Sequence, residues 1–456
     1  MLGLAVNELL VIGMLIGFIG LLFLGIPVIW ALAGSSLIIA LLALGLHQYA
    51  GVDTYFLDSW RDYSVIVQRI WSVMENGVLV ALPLFVFMGL MLDQSGLAET
   101  LMKEFAATLG RFNGGLAVAV ILIGILLAAS TGIVGASVVL LTTIAMPIML
   151  EQGYDRRLAA GVIASAGTLG ILIPPSIMLI IMADQLALSV GELFMGALIP
   201  GLLLGIVYLV YVVVAVTLQP RLAPRPANPE PLTARRLLRT FMAVLPPLGL
   251  IIAVLGSIFA GIATPTEAAG IGALGATLLA LANRRLTPRV LYEVARRTTL
   301  TTSFIFGIFI GATAFALVMR ALGGDQMIAA GLHAIPFGGI GVIVSILFFA
   351  FLAGFFLDWL EITLIFLPLV GPVVVNDLGY DPVWFVVLFS VALQTSFITP
   401  PVGFSLFYLK GAAPKEVTTG EIYRGIIPFV LIQLAVVIIV LLVPEIVLWL
   451  PQLVYD

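Results

Sequence analysis

Two proline pairs hold the chemistry that this sequence offers. Pro174 and Pro175 begin nineteen positions after the Asp of a Gly153-Tyr154-Asp155 triplet, and Pro400 and Pro401 begin nineteen positions after the Asp of Gly379-Tyr380-Asp381. Both pairs interrupt strongly apolar stretches. Proline has no backbone N–H, so each pair strands carbonyl oxygens where a membrane helix would otherwise run unbroken. Stranded carbonyls suit a hard cation, and the positive end of the half-helix that follows suits an anion. The first break comprises Ile173, Pro174, Pro175 and Ser176, preceded by Gly167, Thr168 and Gly170. The second comprises Thr399, Pro400, Pro401 and Gly403, preceded by Gln394, Thr395 and Ser396. Interrupted spans at corresponding places in two halves of a chain point to a transporter's binding site.

Two further clusters supply oxygens. Ser130, Thr131, Gly132, Gly135, Ala136 and Ser137 lie in the middle of the apolar stretch 114–150. Gly354, Asp358, Glu361 and Thr363 lie in the middle of 339–374. Superposing the proline pairs sets Thr363 opposite Ser137. Asp358 and Glu361 are three residues apart and share a face if helical. A carboxylate at mid-membrane depth costs about 3 kcal/mol on insertion scales, so it needs a partner, a proton or an ion. Among the other acids, Glu267 reads as the third residue of a capping box begun by Thr264, with Pro265 at the first helical position. Glu75, Asp93 and Asp184 fall near span ends and are expected to be solvated. His47 and His333 also lie near span ends, as interfacial polar residues.

The elements that must position these groups are membrane helices. Of the 456 residues 62% are hydrophobic and only 10% charged, against about a quarter charged in a soluble domain. The absence of cysteine excludes disulfides, iron–sulfur clusters and thiolate zinc. No basic tract points to nucleic acid, and no nucleotide-binding loop is present. An intramembrane hydrolase would need a nucleophile–base pair or paired aspartates at depth, and Asp358 has no second aspartate in a matching setting. The first apolar segment has no basic leader or cleavage site and is expected to be a retained span.

Spans are expected near 8–24, 27–46, 79–97, 157–187, 193–217, 241–259, 266–283, 301–320, 383–409 and 421–443. The stretches 114–150 and 339–374 are read as re-entrant hairpins, and 98–113 and 321–334 as interfacial arms. This makes an all-α polytopic protein of two inverted repeats, 1–217 and 241–456, each with a hairpin and a broken helix. A cytoplasmic linker at 218–240 joins them. Capping boxes at Ser189 with Glu192 and at Thr418 with Glu421 are expected to open the last helix of each repeat. With the linker inside, segments 98–113, 151–156, 284–300 and 410–424 are cytoplasmic too, and only Arg61, Arg69 and Arg320 fall outside. That basic asymmetry places both termini on the outer face.

The segments "GASVVLLTTIAMPIMLEQGYDRRLAAGVIASAGTLGILIPPSI", "GELFMGALIPG", "GIATPTEAAGIGALGA" and "TSFITPPVGFSLFYLKGAAP" resemble the large membrane subunit (DctM-like, M subunit) of tripartite ATP-independent periplasmic (TRAP) transporters. The resemblance spans nearly the whole chain. The wording of "FLDWLEITLIFLPLVGP" and "FSLFYLKG" is similar to the mannitol/chloroaromatic-type branch. It implies an elevator-type secondary transporter of the ion-transporter superfamily fold in the bacterial inner membrane, coupled to Na⁺, with no cofactor and no enzymatic activity. It also implies a separate small four-helix membrane subunit and a periplasmic substrate-binding protein as partners in the lipid bilayer.

Carried onto this sequence, one ion region joins Ser130, Gly132, Gly135 and Ser137 to Ile173, Pro174 and Ser176. The other joins Gly354, Asp358, Glu361 and Thr363 to Thr399, Pro400 and Gly403. The resemblance also implies import of a small organic acid, a 2-oxo acid or other carboxylate, whose carboxylate would rest on tip hydroxyls and half-helix amino ends, at Ser137, Pro175, Ser176, Thr363, Thr399 and Pro401. A stand-alone carboxylate transporter driven by protons through Asp358 or Glu361 is the alternative.

Overall fold

The protein is seen in a computed structural model that describes residues 5–131, 134–226 and 232–455, with backbone alone at 128–131. Every regular element among the described residues is helical. Among the described residues nine helices are long and apolar enough to cross a membrane.

The chain begins with α1 (Val6–Phe23) and α2 (Val28–Ala50), which pack on each other. Helix α3 (Trp60–Met74) is amphipathic and buries no residue; Ser59 and Asp62 form its capping box. It has no long apolar run, and the span pattern does not foresee it. Helix α4 (Ala81–Gln94) is followed by α5 (Leu97–Leu109), bent from it by 52°. Gly96 at the bend has φ +72°, which favours a residue without Cβ. Helices α6 (Gly115–Thr131) and α7 (Val134–Glu151) occupy the expected first hairpin. The first broken span is α8 (Arg156–Thr168), a 3₁₀ turn at Leu169–Ile171, and α9 (Ile177–Gln185). Helix α10 (Val190–Leu218) carries Pro200 inside it; Ser189 accepts from Glu192 N, which is half of the expected capping box.

Helix α11 (Ala234–Phe259) takes its first residues from the expected linker, because Thr233 accepts from Arg236 N and caps it there. Helix α12 (Pro265–Ala282) starts with the Thr264–Glu267 capping box. Helix α13 (Pro288–Ala321) has 34 residues and starts thirteen before the expected span. At about 1.5 Å per residue it is about 51 Å long, and its polar start is held by Glu293 ion pairs to Arg296 and Arg297. Helix α14 (Gly324–His333) lies in the second expected arm. Helices α15 (Gly338–Ala353) and α16 (Trp359–Pro372), with a π turn at Val373–Asp377, occupy the second expected hairpin. The second broken span is α17 (Pro382–Ile398) and α18 (Phe404–Ala412), and the chain closes with α19 (Thr419–Leu442) and the unforeseen α20 (Glu445–Tyr455).

The repeated triplets prove to be helix starters. Gly153 and Gly379 have φ +78° and +73°, and the Asp of each triplet is the N-cap of the next helix. The tyrosines reach the hairpin roots: Leu116 N donates to the Tyr154 hydroxyl at 3.1 Å, and Tyr380 lies against Gly339.

Helices α8 and α17 sit at the centre. Leu158 to Thr168 and Val383 to Ile398 are buried without interruption, the pattern of a helix enclosed on all sides. Helices α6, α7 and α19 pack on α8, and α15, α18 and α19 pack on α17. A second packing group joins α4 to α12 and α2 to α13 through glycines: Gly272 faces the Met88 thioether and Gly311 the Ile29 carbonyl. Close backbone approach through small residues is how membrane helices associate without a hydrophobic drive.

Candidate functional site

At both proline pairs the α-helix stops and restarts. Both Pro–Pro bonds are cis. Proline at position i leaves the carbonyl at i−4 without its donor. Pro174 and Pro400 therefore fail to engage Gly170 and Ser396, and Pro175 and Pro401 fail to engage Ile171 and Phe397. In each break a nearby hydroxyl takes the second of these carbonyls. Ser176 Oγ donates to Ile171 O at 2.5 Å, and Ser405 Oγ donates to Phe397 O at 2.6 Å. Ile171 and Phe397 are corresponding positions when the proline pairs are superposed.

The breaks are joined directly. Gln394 Nε2 donates to Thr168 Oγ1 at 3.2 Å across a separation of 226 residues. That is the offset that superposes the proline pairs, so equivalent positions of the two halves touch each other. Thr168 passes its own proton to Ser165 O at 2.9 Å, and Gln394 Oε1 is buried with no partner. Replacing Gln394 by Leu leaves Thr168 Oγ1 buried without that donor. The expected cost is about 1–2 kcal/mol, read as a lowered unfolding midpoint of the purified protein. A Thr168→Val, Gln394→Leu cycle should show coupling near 1 kcal/mol.

A helix from each expected hairpin meets the other half's broken span. Helix α7 packs on α8 and α18, and α16 packs on α9. Gly135 lies against the Tyr408 ring, where a Cβ would be 2.8 Å from ring carbon. Gly354 lies against the Ser396 hydroxyl, which a Cβ would overlap. Ser137, Ser176, Thr363, Thr395 and Ser396 are all buried. Ile173 backs onto Gly201 of α10, and Tyr423 of α19 donates to Pro401 O at 2.5 Å. The first break, Ile171 to Ser176, is wholly buried, while Pro401 is exposed and Thr399 and Pro400 are half-buried. Gly403 takes φ +38° as α18 restarts. Ser130 lies in the last turn of α6 with its side chain outside the described residues, as is the whole of Gly132.

The two acids of the second tip divide. Asp358 is exposed and is the N-cap of α16, its Oδ1 accepting from Trp359 N at 2.8 Å. Glu361 is buried, and its Oε2 has no hydrogen-bond partner. The spacing of three is that of an N-cap and its N3 residue, so part of the signal read as paired carboxylates is helix capping. Asn caps as well as Asp does. Asp358→Asn is therefore expected to keep uptake within about twofold, while Glu361→Gln removes a buried charge and raises the cation concentration for half-maximal uptake at least about tenfold.

Two acids expected to be solvated are half-buried. Asp93 has a buried Oδ1 with no partner. Asp184 accepts from Asn76 and, at 3.0 Å, from Gln185 Nε2. Sequence reasoning also passed over Ser405, Gly201 and Tyr423. Testing every hydroxyl and amide against its counterpart in the other half would have raised Thr168 with Gln394, but not these braces.

A family model described as "Tripartite ATP-independent periplasmic transporter, DctM component" matches residues 15–446. The C4-dicarboxylate TRAP transporter large permease protein DctM of Pseudomonas aeruginosa is 32% identical over 90% of this chain and 94% of its own length. The isethionate TRAP transporter permease protein DctMQ of Oleidesulfovibrio alaskensis is 28% identical, over 92% of this chain and 65% of its own length. The solved Alcanivorax borkumensis YdaH transporter shares the fold at a TM-score of 0.61 and 13% identity, covering 83% of this chain and 87% of its own.

Proposed function

The chain belongs to the DctM component of tripartite ATP-independent periplasmic transporters, the large permease subunits, and from this we propose that it imports a small organic acid in symport with Na⁺. The observation that carries the proposal is the pair of broken spans joined by the Thr168–Gln394 hydrogen bond, with a hairpin arm seated against each. The breaks offer carbonyl and hydroxyl oxygens, which are hard ligands fit for an alkali cation. The amino ends of α9 and α18 offer N–H groups to a carboxylate. The relatives' names fit an acid, since one names C4-dicarboxylates and another isethionate.

In this reading Ser130, Gly132, Gly135 and Ser137 with Ile173, Pro174 and Ser176 form one cation region. Gly354, Glu361 and Thr363 with Thr399, Pro400 and Gly403 form the other, and Asp358 mainly holds the start of α16. The acid rests on Ser137, Pro175, Ser176, Thr363, Thr399 and Pro401. Two inverted repeats, 1–217 and 241–456, each give a hairpin and a broken span to a moving body. That body slides in elevator fashion past α1–α4 and α11–α13, with α5 and α14 as the connecting arms. The assembly sits in the inner membrane with both termini outside. A small membrane subunit is its partner, and a periplasmic binding protein delivers the acid. The isethionate relative has about a third of its length beyond the part this chain covers, room for a second subunit within one chain.

The test is uptake by the purified complex in proteoliposomes, with binding protein outside. The expected result is uptake that needs an inward Na⁺ gradient and survives collapse of the pH gradient. The unpartnered Glu361 Oε2 favours a second reading, in which Glu361 carries a proton. Uptake that ignores Na⁺ and follows the pH gradient would replace the first reading with the second.

A further inference from the structure

A polar cavity of about 220 Å³ opens where α3, α9, α13 and α16 meet. Two guanidiniums line it, Arg69 from α3 and Arg320 from α13, together with Asp184, Gln185 and Thr313. Among the described residues neither arginine is in an ion pair. Arg320 is fixed by the backbone of α16. Pro372 has no N–H to give to Pro368 O, and Arg320 Nη2 donates to that carbonyl at 3.1 Å. One edge of its fork is thereby committed and the rest is free. Asp184 is held on the opposite wall by Asn76 and Gln185. Both guanidiniums line this one cavity, and desolvation together with the charge of Arg320 pulls the Arg69 guanidinium below its usual pKa.

Like charges that line one cavity call for an anion. Two guanidiniums against one carboxylate leave a net charge of +1, which one further carboxylate neutralises. The arginine fork matches a carboxylate with two parallel hydrogen bonds. The volume is below the roughly 300 Å³ at which drug-sized pockets begin, so the ligand is small. Leu364, in the cavity wall, is the residue after Thr363 at the second hairpin tip.

We infer that Arg69 and Arg320 form an outer anion site that takes one carboxylate of the transported acid before it reaches the second hairpin tip. This rests on the import of an organic acid proposed above. In the elevator reading the site lies on the sliding seam: α3 and α13 belong to the fixed side, α9 and α16 to the moving side. Movement then separates the two walls and releases the acid.

The test modifies arginines of the complete transporter in nanodiscs with phenylglyoxal and reads the rate at each arginine by mass spectrometry. Acetate, pyruvate and succinate are the probes, with chloride and sulfate at matched ionic strength as controls. The expected result is that at least one of the acids slows modification of Arg69 and Arg320 about fivefold or more, while Arg61 on the same helix is unaffected. Equal protection of Arg61, protection by chloride or sulfate alone, or no protection would overturn the inference. Protection that follows anionic lipid in the nanodisc and not the added acid would assign the site to a phospholipid headgroup and also overturn it.

In uptake, Arg69→Gln is expected to raise KM about tenfold with kcat little changed, and Arg69→Lys to recover part of it. Among the described residues the Arg69 side chain has no hydrogen bond to a carbonyl, so this variant avoids the folding risk of Arg320→Gln. The two failures are separable. If the wild-type complex moves no organic acid, the proposed function is wrong. If wild type imports the acid and Arg69→Gln matches its KM, only the anion site is wrong.

Discussion

Replacing Pro400 and Pro401 together by alanine will reduce Na⁺-driven uptake at least about 100-fold in a transporter that still assembles. The substitution restores two N–H groups. One is aimed at Ser396 O and the other at Phe397 O, the carbonyl now held by Ser405. Helix α17 can then run on through the break, and the oxygens it presents become ordinary intrahelical acceptors. Hydrogen bonds and ligands to a charged group contribute about 1.5–3 kcal/mol each, so losing two is worth about 3–6 kcal/mol. At 1.4 kcal/mol per factor of ten that is two orders of magnitude or more. The second break is the better one to test. Pro401 is exposed and Thr399 half-buried, whereas the first break is enclosed throughout, and straightening it would also disturb packing. Uptake and the elution profile should be measured on one preparation. Uptake within twofold of wild type would reduce the proline pair to a packing kink.

Gly161→Val will prevent the central bundle from forming. Gly161 of α8 and Gly425 of α19 approach so closely that a Cβ on Gly161 would overlap the Gly425 carbonyl, and a Cβ on Gly425 would overlap the Arg157 carbonyl. The obstacles are backbone atoms, so no rotamer change relieves them. Because α8 is buried on all sides, a helix shift here displaces the first break as well. Overpacking typically costs about 1–3 kcal/mol, and a clash between two backbones belongs at the upper end or beyond. The expected outcome is loss of the monodisperse peak in detergent, and the same for Gly425→Val. Gly17 and Gly20 of α1 have open space beside them, so Gly20→Val is the control that should purify normally. A Gly161→Val protein with wild-type melting would contradict the packing described here.

Much of this was legible in the sequence because membrane helices announce themselves by length and apolarity. The proline pairs, the triplets that start α8 and α17, and the Thr264–Glu267 cap all have local causes, and local causes are written in neighbouring residues. Helix α3 escaped because its residues are amphipathic and mostly exposed, which a search for apolar runs passes over. Helix α20, at 11 residues, is too short for such a search. The charge of Asp358 suggests an ion site, but an acid three positions before another at a helix start is also a cap, and the structure uses it as one. The contacts that join the halves were out of reach for a different reason. Gln394 to Thr168, Tyr423 to Pro401 and the cavity that Arg69 shares with Arg320 depend on packing between distant segments, which no local pattern encodes. The inequality of the breaks, one enclosed and one open, likewise belongs to the tertiary arrangement.

The central claim is that two opened spans hold the coupling cations. Equilibrium binding of radioactive Na⁺ to the purified complex, without a gradient or a transported acid, tests it most directly. The expected result is saturable binding that falls when Pro400 and Pro401 are replaced by alanine, falls again with Ser176→Ala at the other break, and is unchanged by Gly20→Val. Binding that stays at the wild-type level when both breaks are altered, in protein that elutes as a single species, would place the cations away from both breaks.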